Sequence, residues 1–227
     1  MSRNFVDYKQ VAKDFLKRQC IDFIRKGNRL QTPMQIQINT LRCYGYLPQR
    51  IIAVELFGMH GLWIVKDYAD ICTYLELWEI NHVYATFAKE FIKKAVVVEG
   101  DSIRAVLDRK LMRDRYNLIV SDNPMGSPYG DKYYEHFDLF PSVLDYMDDR
   151  GVIQLNFIHN PILLSDKHMQ KRETFYGKAK PTIAEAADIY GKLIANRERI
   201  LEDVLFLPRN DRIGFLTLII RGERPLK

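Results

Sequence analysis

The sequence predicts an α/β fold: a seven-stranded, mostly parallel sheet with helices on both faces, a C-terminal antiparallel hairpin and an N-terminal helical extension. Three observations carry that expectation. From residue 50 onward, short apolar runs alternate with segments of helical spacing, as in parallel strands joined by crossover helices. The last two apolar runs, 201–207 and 213–220, lie too close together for a parallel crossover of roughly a dozen residues, so they must pair antiparallel. Before residue 50 the spacing is helical throughout.

The elements follow in order. Residues 4–26 set Phe5, Tyr8, Val11, Phe15, Leu16, Ile21 and Ile24 at three- and four-residue spacings, an amphipathic helix that Gly27-Asn28 ends. Thr32-Pro33 reads as the N-cap and first-turn proline of a second helix reaching about Tyr44, closed by Gly45 and Pro48. Strands are expected at 51–57, 73–80, 95–98, 116–120 and 152–158. Helices are expected between them at 62–71, 82–93, 102–111 and 133–147. The connection 160–200 is long. Its basic stretch SDKHMQKRETFYGKAKP reads as a lid, a substrate loop or disorder, and a helix over 182–199 follows. The division expected is a basic helical extension, 1–49, and an α/β domain, 50–227.

Composition narrows the function classes. Of 227 residues, 47% are hydrophobic and 28% charged, which suits one full α/β core with an extension. No stretch approaches the roughly 18 uninterrupted apolar residues of a membrane span. The start, MSRNFVDYKQ, lacks the apolar core of an export signal, so a cytoplasmic location is expected. Cys20, Cys43 and Cys72 are odd in number and widely spaced, which argues against a disulfide framework or a paired metal site. His60, His82, His136, His159 and His168 show no i, i+4 pairing, and no metal is expected. The net charge of +5 is uneven: residues 1–50 hold ten Lys/Arg and three Asp, leaving the remainder slightly acidic. A basic extension suits an anionic partner, nucleic acid first, with a solvated helix face as the alternative.

Four stretches at the ends of the expected parallel strands carry chemistry. VELFGMHG, 54–61, puts Glu55 in an apolar strand, where burial is costly without a polar partner. The glycines after it allow close backbone approach to a ligand. YLELWEIN, 74–81, puts Glu79 about 18 residues beyond Gly61, near the roughly 20-residue spacing at which an acid reaches ribose hydroxyls. Glu76 belongs to the opposite face of that strand. VVVEGDS, 96–102, supplies Asp101 and Ser102, and SDNPMG, 121–126, supplies Asp122, Asn123 and Pro124. A G-x-G-x-x-G dinucleotide turn and a P-loop are both missing.

In this order the stretches resemble the class I S-adenosylmethionine-dependent methyltransferases, over about residues 50–222. That resemblance implies a Rossmann-like methyltransferase domain with S-adenosyl-L-methionine as cofactor. It implies cofactor contacts from Glu55, Phe57, Gly58, Gly61, Glu79 (ribose), Asp101 (adenine amino group) and Ser102. Asn123-Pro124 matches the first half of the amino-methyltransferase signature, in which polar acceptors orient the target nitrogen. Asp122, Asn123 and Pro124 are therefore the catalytic candidates. Tyr129 and Tyr133 are candidates to contact the substrate base, and Lys13, Lys17, Arg18 and Arg25 to contact phosphates. Met59 stands where the family has a glycine, and Met125-Gly126 where it has Pro-aromatic. The expected function is N-methylation of a nucleobase in DNA or RNA. The alternatives are a catalytically inactive methyltransferase-like binding subunit, or a small-molecule or protein methyltransferase.

Overall fold

The computed structural model describes residues 32–58, 64–122, 134–161 and 164–222. The first helix, α1 (Pro33–Cys43), begins at Thr32, whose hydroxyl accepts the Gln35 N–H while the Gln35 side chain caps the Thr32 N–H in return. Gly45, at φ +72, turns the chain out of it. The strands are β1 (Ile52–Glu55), β2 (Tyr74–Glu79), β3 (Ala95–Glu99), β4 (Tyr116–Ser121), β5 (Met147–Ile158), β6 (Arg199–Pro208) and β7 (Ile213–Gly222). Between them run α2 (Val65–Tyr68), α3 (His82–Phe91), α4 (Ser102–Leu107), α5 (Asp166–Tyr176) and α6 (Ile183–Ala195).

The seven strands form one sheet in the order β3-β2-β1-β4-β5-β7-β6. β1 to β5 are mutually parallel, while β7 pairs antiparallel with both β5 and β6. Strand order reverses between β1 and β4, so the crevice beyond their carboxyl ends is where ligands of such sheets bind. Two apolar layers cover the sheet. Met34, Ile38 and Leu41 of α1 pack with Ala53, Leu118, Val152 and Phe215 on one face. Ile103, Leu144, Tyr190 and Ile194 pack with Val54, Ile119, Ile153 and Leu218 on the other. All six residues of β4 are buried, as in a central parallel strand covered on both faces. A polar relay crosses the first layer: Gln154 donates to Gln37 at 2.7 Å, and Gln37 donates to Thr217 at 2.6 Å.

Two expectations fail. The helix expected over 133–147 is replaced by turns and a 3-10 helix, Ser142–Tyr146, with β5 starting at Met147. Pro141 lies inside that span and has no N–H for the helical ladder, while Phe137, Phe140, Leu144 and Met147 still pack into one core. The basic stretch expected as a lid or disorder forms α5, capped by Ser165 and ended by Gly177 at φ +75. Its His168 and Arg172 are buried, which the charge pattern alone did not reveal. The helix expected over 4–26 lies outside the described residues.

Candidate active site

The parallel strands bring the expected cofactor acids to one rim. Hydrogen bonds lace their tips together. Leu56 N–H donates to Val120 O (3.0 Å), Gly58 N–H to Trp78 O (2.8 Å) and Gly100 N–H to Glu79 O (2.9 Å). Ser102 Oγ donates to Leu56 O at 2.5 Å. Gly58 is needed for that approach, because a Cβ there would lie 2.2 Å from Leu77 Cδ2. Phe57 beside it is half-buried.

Glu55 is fully buried at the end of β1. Its carboxylate accepts the Tyr68 hydroxyl at 2.8 Å and the Phe57 N–H at 3.3 Å. Burial lifts its pKa well above the ordinary carboxylate value and the Asp122 charge adds to that; the hydrogen bonds pull the other way. Asp122, also buried, accepts from Arg209 Nη1 at 2.7 Å. Its pKa is raised by burial and held back by Arg209. The Arg209 guanidinium lies over the Phe215 ring, 4.6 Å from its centroid.

Glu79 is buried and accepts the Asn81 N–H at 2.7 Å, while Asn81 caps α3 through the N–H groups of Val83 and Tyr84. Asp101 caps α4 by accepting the Arg104 N–H at 3.1 Å. Glu76 faces away from this rim. It accepts from Trp78 Nε1 (2.5 Å), the Met112 N–H (3.1 Å), and the hydroxyls of Tyr74 and Tyr116. Four donors make it a satisfied structural acid.

Gly61, Asn123, Pro124, Tyr129, Tyr133, Lys13, Lys17, Arg18 and Arg25 lie outside the described residues. The segment carrying Asn123-Pro124 is nevertheless bracketed by two arginine–carboxylate pairs. Upstream is Asp122–Arg209. Downstream, the fully buried Arg172 donates from Nη1 to Glu135 (2.5 Å), from Nη2 to Ile158 O (2.8 Å) and from Nε to Ala179 O (2.7 Å). His168 Nε2 lies 2.8 Å from the same Glu135 oxygen. Next to Glu135, His136 bonds the Tyr190 hydroxyl, which is 2.9 Å from the Tyr176 hydroxyl. Burial holds the His136 pKa down to about 4; Glu135 raises it and Arg172 lowers it further.

Arg209, Glu135 and Arg172 were not singled out by the sequence. Only the fold buries Glu135 and Arg172, while Arg209 reaches Asp122 from the exposed turn between β6 and β7.

Among the described residues, no group of His, Cys, Asp or Glu is arranged to hold a metal ion. No described helix is long and apolar enough to cross a membrane. No protein-family model and no curated protein matches the sequence. Solved structures do match. Trm1 from Pyrococcus horikoshii, in complex with S-adenosyl-L-methionine, superposes at a TM-score of 0.61 with 13% identity, over 84% of this chain and 55% of that one. The tRNA m1G37 methyltransferase of M. jannaschii gives 0.51 and 13%, over 86% and 49%. The Escherichia coli protein yhhF gives 0.50 and 9%, over 87% and 89%. This chain has the class I methyltransferase fold. It spans about half the length of Trm1 and of the M. jannaschii enzyme.

Proposed function

We propose that this chain is an S-adenosylmethionine-dependent methyltransferase acting on a nitrogen of a nucleobase in DNA or RNA. The observation that carries the reading is the gathering of Glu55, Glu79, Asp101 and Asp122 around the β1–β4 crevice. The acceptor chemistry of this rim fits a nucleoside: carboxylates at the β2 and β3 tips suit ribose hydroxyls and an adenine amino group, all hydrogen donors. Trm1, solved with S-adenosyl-L-methionine, and a tRNA methyltransferase on the same fold support it.

In this reading Glu79 takes the ribose, Asp101 the adenine edge, and Glu55, Phe57, Gly58, Gly61 and Ser102 wall the cofactor. The cofactor supplies an electrophilic methyl group. Asp122, Asn123 and Pro124 orient the target nitrogen, so rate comes from alignment rather than from a strong base. Arg209 holds Asp122, and Arg172 holds the far end of the same segment through Glu135. Tyr129 and Tyr133 contact the base, which must be flipped out if it lies in a duplex. Lys13, Lys17, Arg18 and Arg25 contact phosphates, so affinity falls steeply with salt.

Calorimetry with S-adenosylmethionine, followed by transfer of labelled methyl to RNA, DNA or metabolites, tests the reading. Label on a metabolite alone removes the nucleic-acid clause and keeps the enzyme. A second reading, a binding subunit without catalysis, draws on Met59 and on Asp101 and Ser102 already being hydrogen-bonded within the fold. Failure to bind cofactor at millimolar concentration favours it.

A further inference from the structure

At the opposite end of the sheet, by the amino ends of β4 and β6, lies an open cleft of about 450 Å³. Its charged lining is Arg109, Arg115, Arg197, Arg199, Asp114 and Asp145. Four guanidiniums thus meet two carboxylates. Asp145 is shared, with Arg109 Nη2 at 3.3 Å from one oxygen and Arg197 Nη1 at 2.8 Å from the other. Arg115 and Arg199 turn to the main chain instead. Both donate to Met147 O, at 2.8 and 2.6 Å, and Arg199 also donates to Asp148 O at 2.8 Å.

Two like charges therefore converge on one carbonyl oxygen. Burial first, and the Arg115 charge next, hold the Arg199 pKa below its ordinary value, against the opposing pull of Asp149, Asp145 and Asp148. Guanidinium does not deprotonate in proteins, so both charges stay in place, partly offset by Asp145, Asp148 and Asp149. Planar N–H forks at the wall of an open cleft match the oxygens of a phosphate. The seven residue steps from Arg115 to Asp122 span roughly 23 Å along the strand, so the cleft is separate from the candidate active site.

We propose that this cleft is a phosphate-binding site, taking the phosphates of a free nucleotide or of a nucleic-acid backbone. Either source offers the same oxygens, and the four guanidiniums lining the cleft select for them. The proposal stands independently of the methyltransferase reading.

Full-length protein is titrated at low salt with inorganic pyrophosphate, with ADP and with a fluorescent single-stranded RNA oligonucleotide. Arg115→Ala/Arg199→Ala should weaken pyrophosphate binding by about tenfold or more. Asp145→Asn, which removes a competing carboxylate, should tighten it by about threefold. A site whose arginines serve only the fold would not gain affinity there. If the oligonucleotide binds more tightly than ADP and is lost in the double variant, the source is a nucleic-acid backbone. If ADP binding is lost and oligonucleotide binding is kept, the source is a free nucleotide. No pyrophosphate binding to the wild-type protein overturns the proposal. So does an unchanged affinity in Asp145→Asn, which needs no result from the double variant should that variant fold poorly.

Discussion

At the carboxyl ends of the strands two arginines are spent on buried acids: Arg209 on Asp122 and Arg172 on Glu135. At the amino ends, four arginines crowd around Asp114 and Asp145, and two of them donate to main-chain carbonyls. The residue type is the same, but its surroundings differ. Where a guanidinium is fully buried against its carboxylate, it is part of the architecture, and removing one partner exposes the other to a low-dielectric interior. Where guanidiniums line an open cleft, the fold gains less from each of them and their N–H groups are available to a ligand.

The largest expected effect tests the first half of that contrast. Arg172→Leu should cost about 3–5 kcal/mol in urea unfolding, since Glu135 would remain buried without its guanidinium. Replacing both partners by leucine should recover much of the loss; an equal or greater loss in the double variant would mean that packing, not charge, holds this corner.

Next comes His136, in the same corner. Its folded pKa, about 4, lies below the ordinary 6.5, so between these values the unfolded chain binds the extra proton. Stability is therefore full above pH 6.5 and declines as pH falls through about 4, by about 3 kcal/mol in all. His136→Gln should remove that share, so the stability gap between wild type and variant should move in the variant's favour on acidification. A gap constant from pH 7.5 to 4.5 would show that His136 is not the titrating group.

On the rim, Glu79→Ala should weaken S-adenosylmethionine binding by about 1–3 kcal/mol in calorimetry. Asn123→Ala should instead lower turnover and keep cofactor affinity; equal loss of both would take Asn123 off the list of catalytic candidates. The smallest effect belongs to the amino end. Arg197→Ala should change the unfolding free energy by less than about 1 kcal/mol, as befits a partly exposed ion pair. A loss as large as that of Arg172→Leu would erase the distinction between the two ends.

The parallel strands and the closing hairpin were legible because their signals are local: apolar runs, caps such as Thr32, and a connection too short to cross over. The places of Glu79, the last residue of β2, and Asp101, just after β3, were legible for a similar reason, since the ends of parallel strands form one rim. Glu76 and Glu79 could be told apart by strand parity alone, and the four donors around Glu76 agree with that parity. What stayed hidden depends on distant pairing. Arg172 reads as one more charge in a basic run until α5 folds it against the end of β5. Residues 133–147 carry a helical apolar stripe, yet Pro141 denies the backbone its ladder and the same side chains reach the core from turns. The arginine cleft draws its charges from three separate connections, none distinctive by itself.

The Asp122–Arg209 pair joins partners 87 residues apart, and this spacing sets an order of events during synthesis. The first four strands can emerge and pair while the motif aspartate still lacks its counter-ion. Only when the β6–β7 turn has left the ribosome and the hairpin has slotted in beside β5 does that charge find its mate. A growing chain thus acquires its scaffold well before the rim around Asp122 is closed.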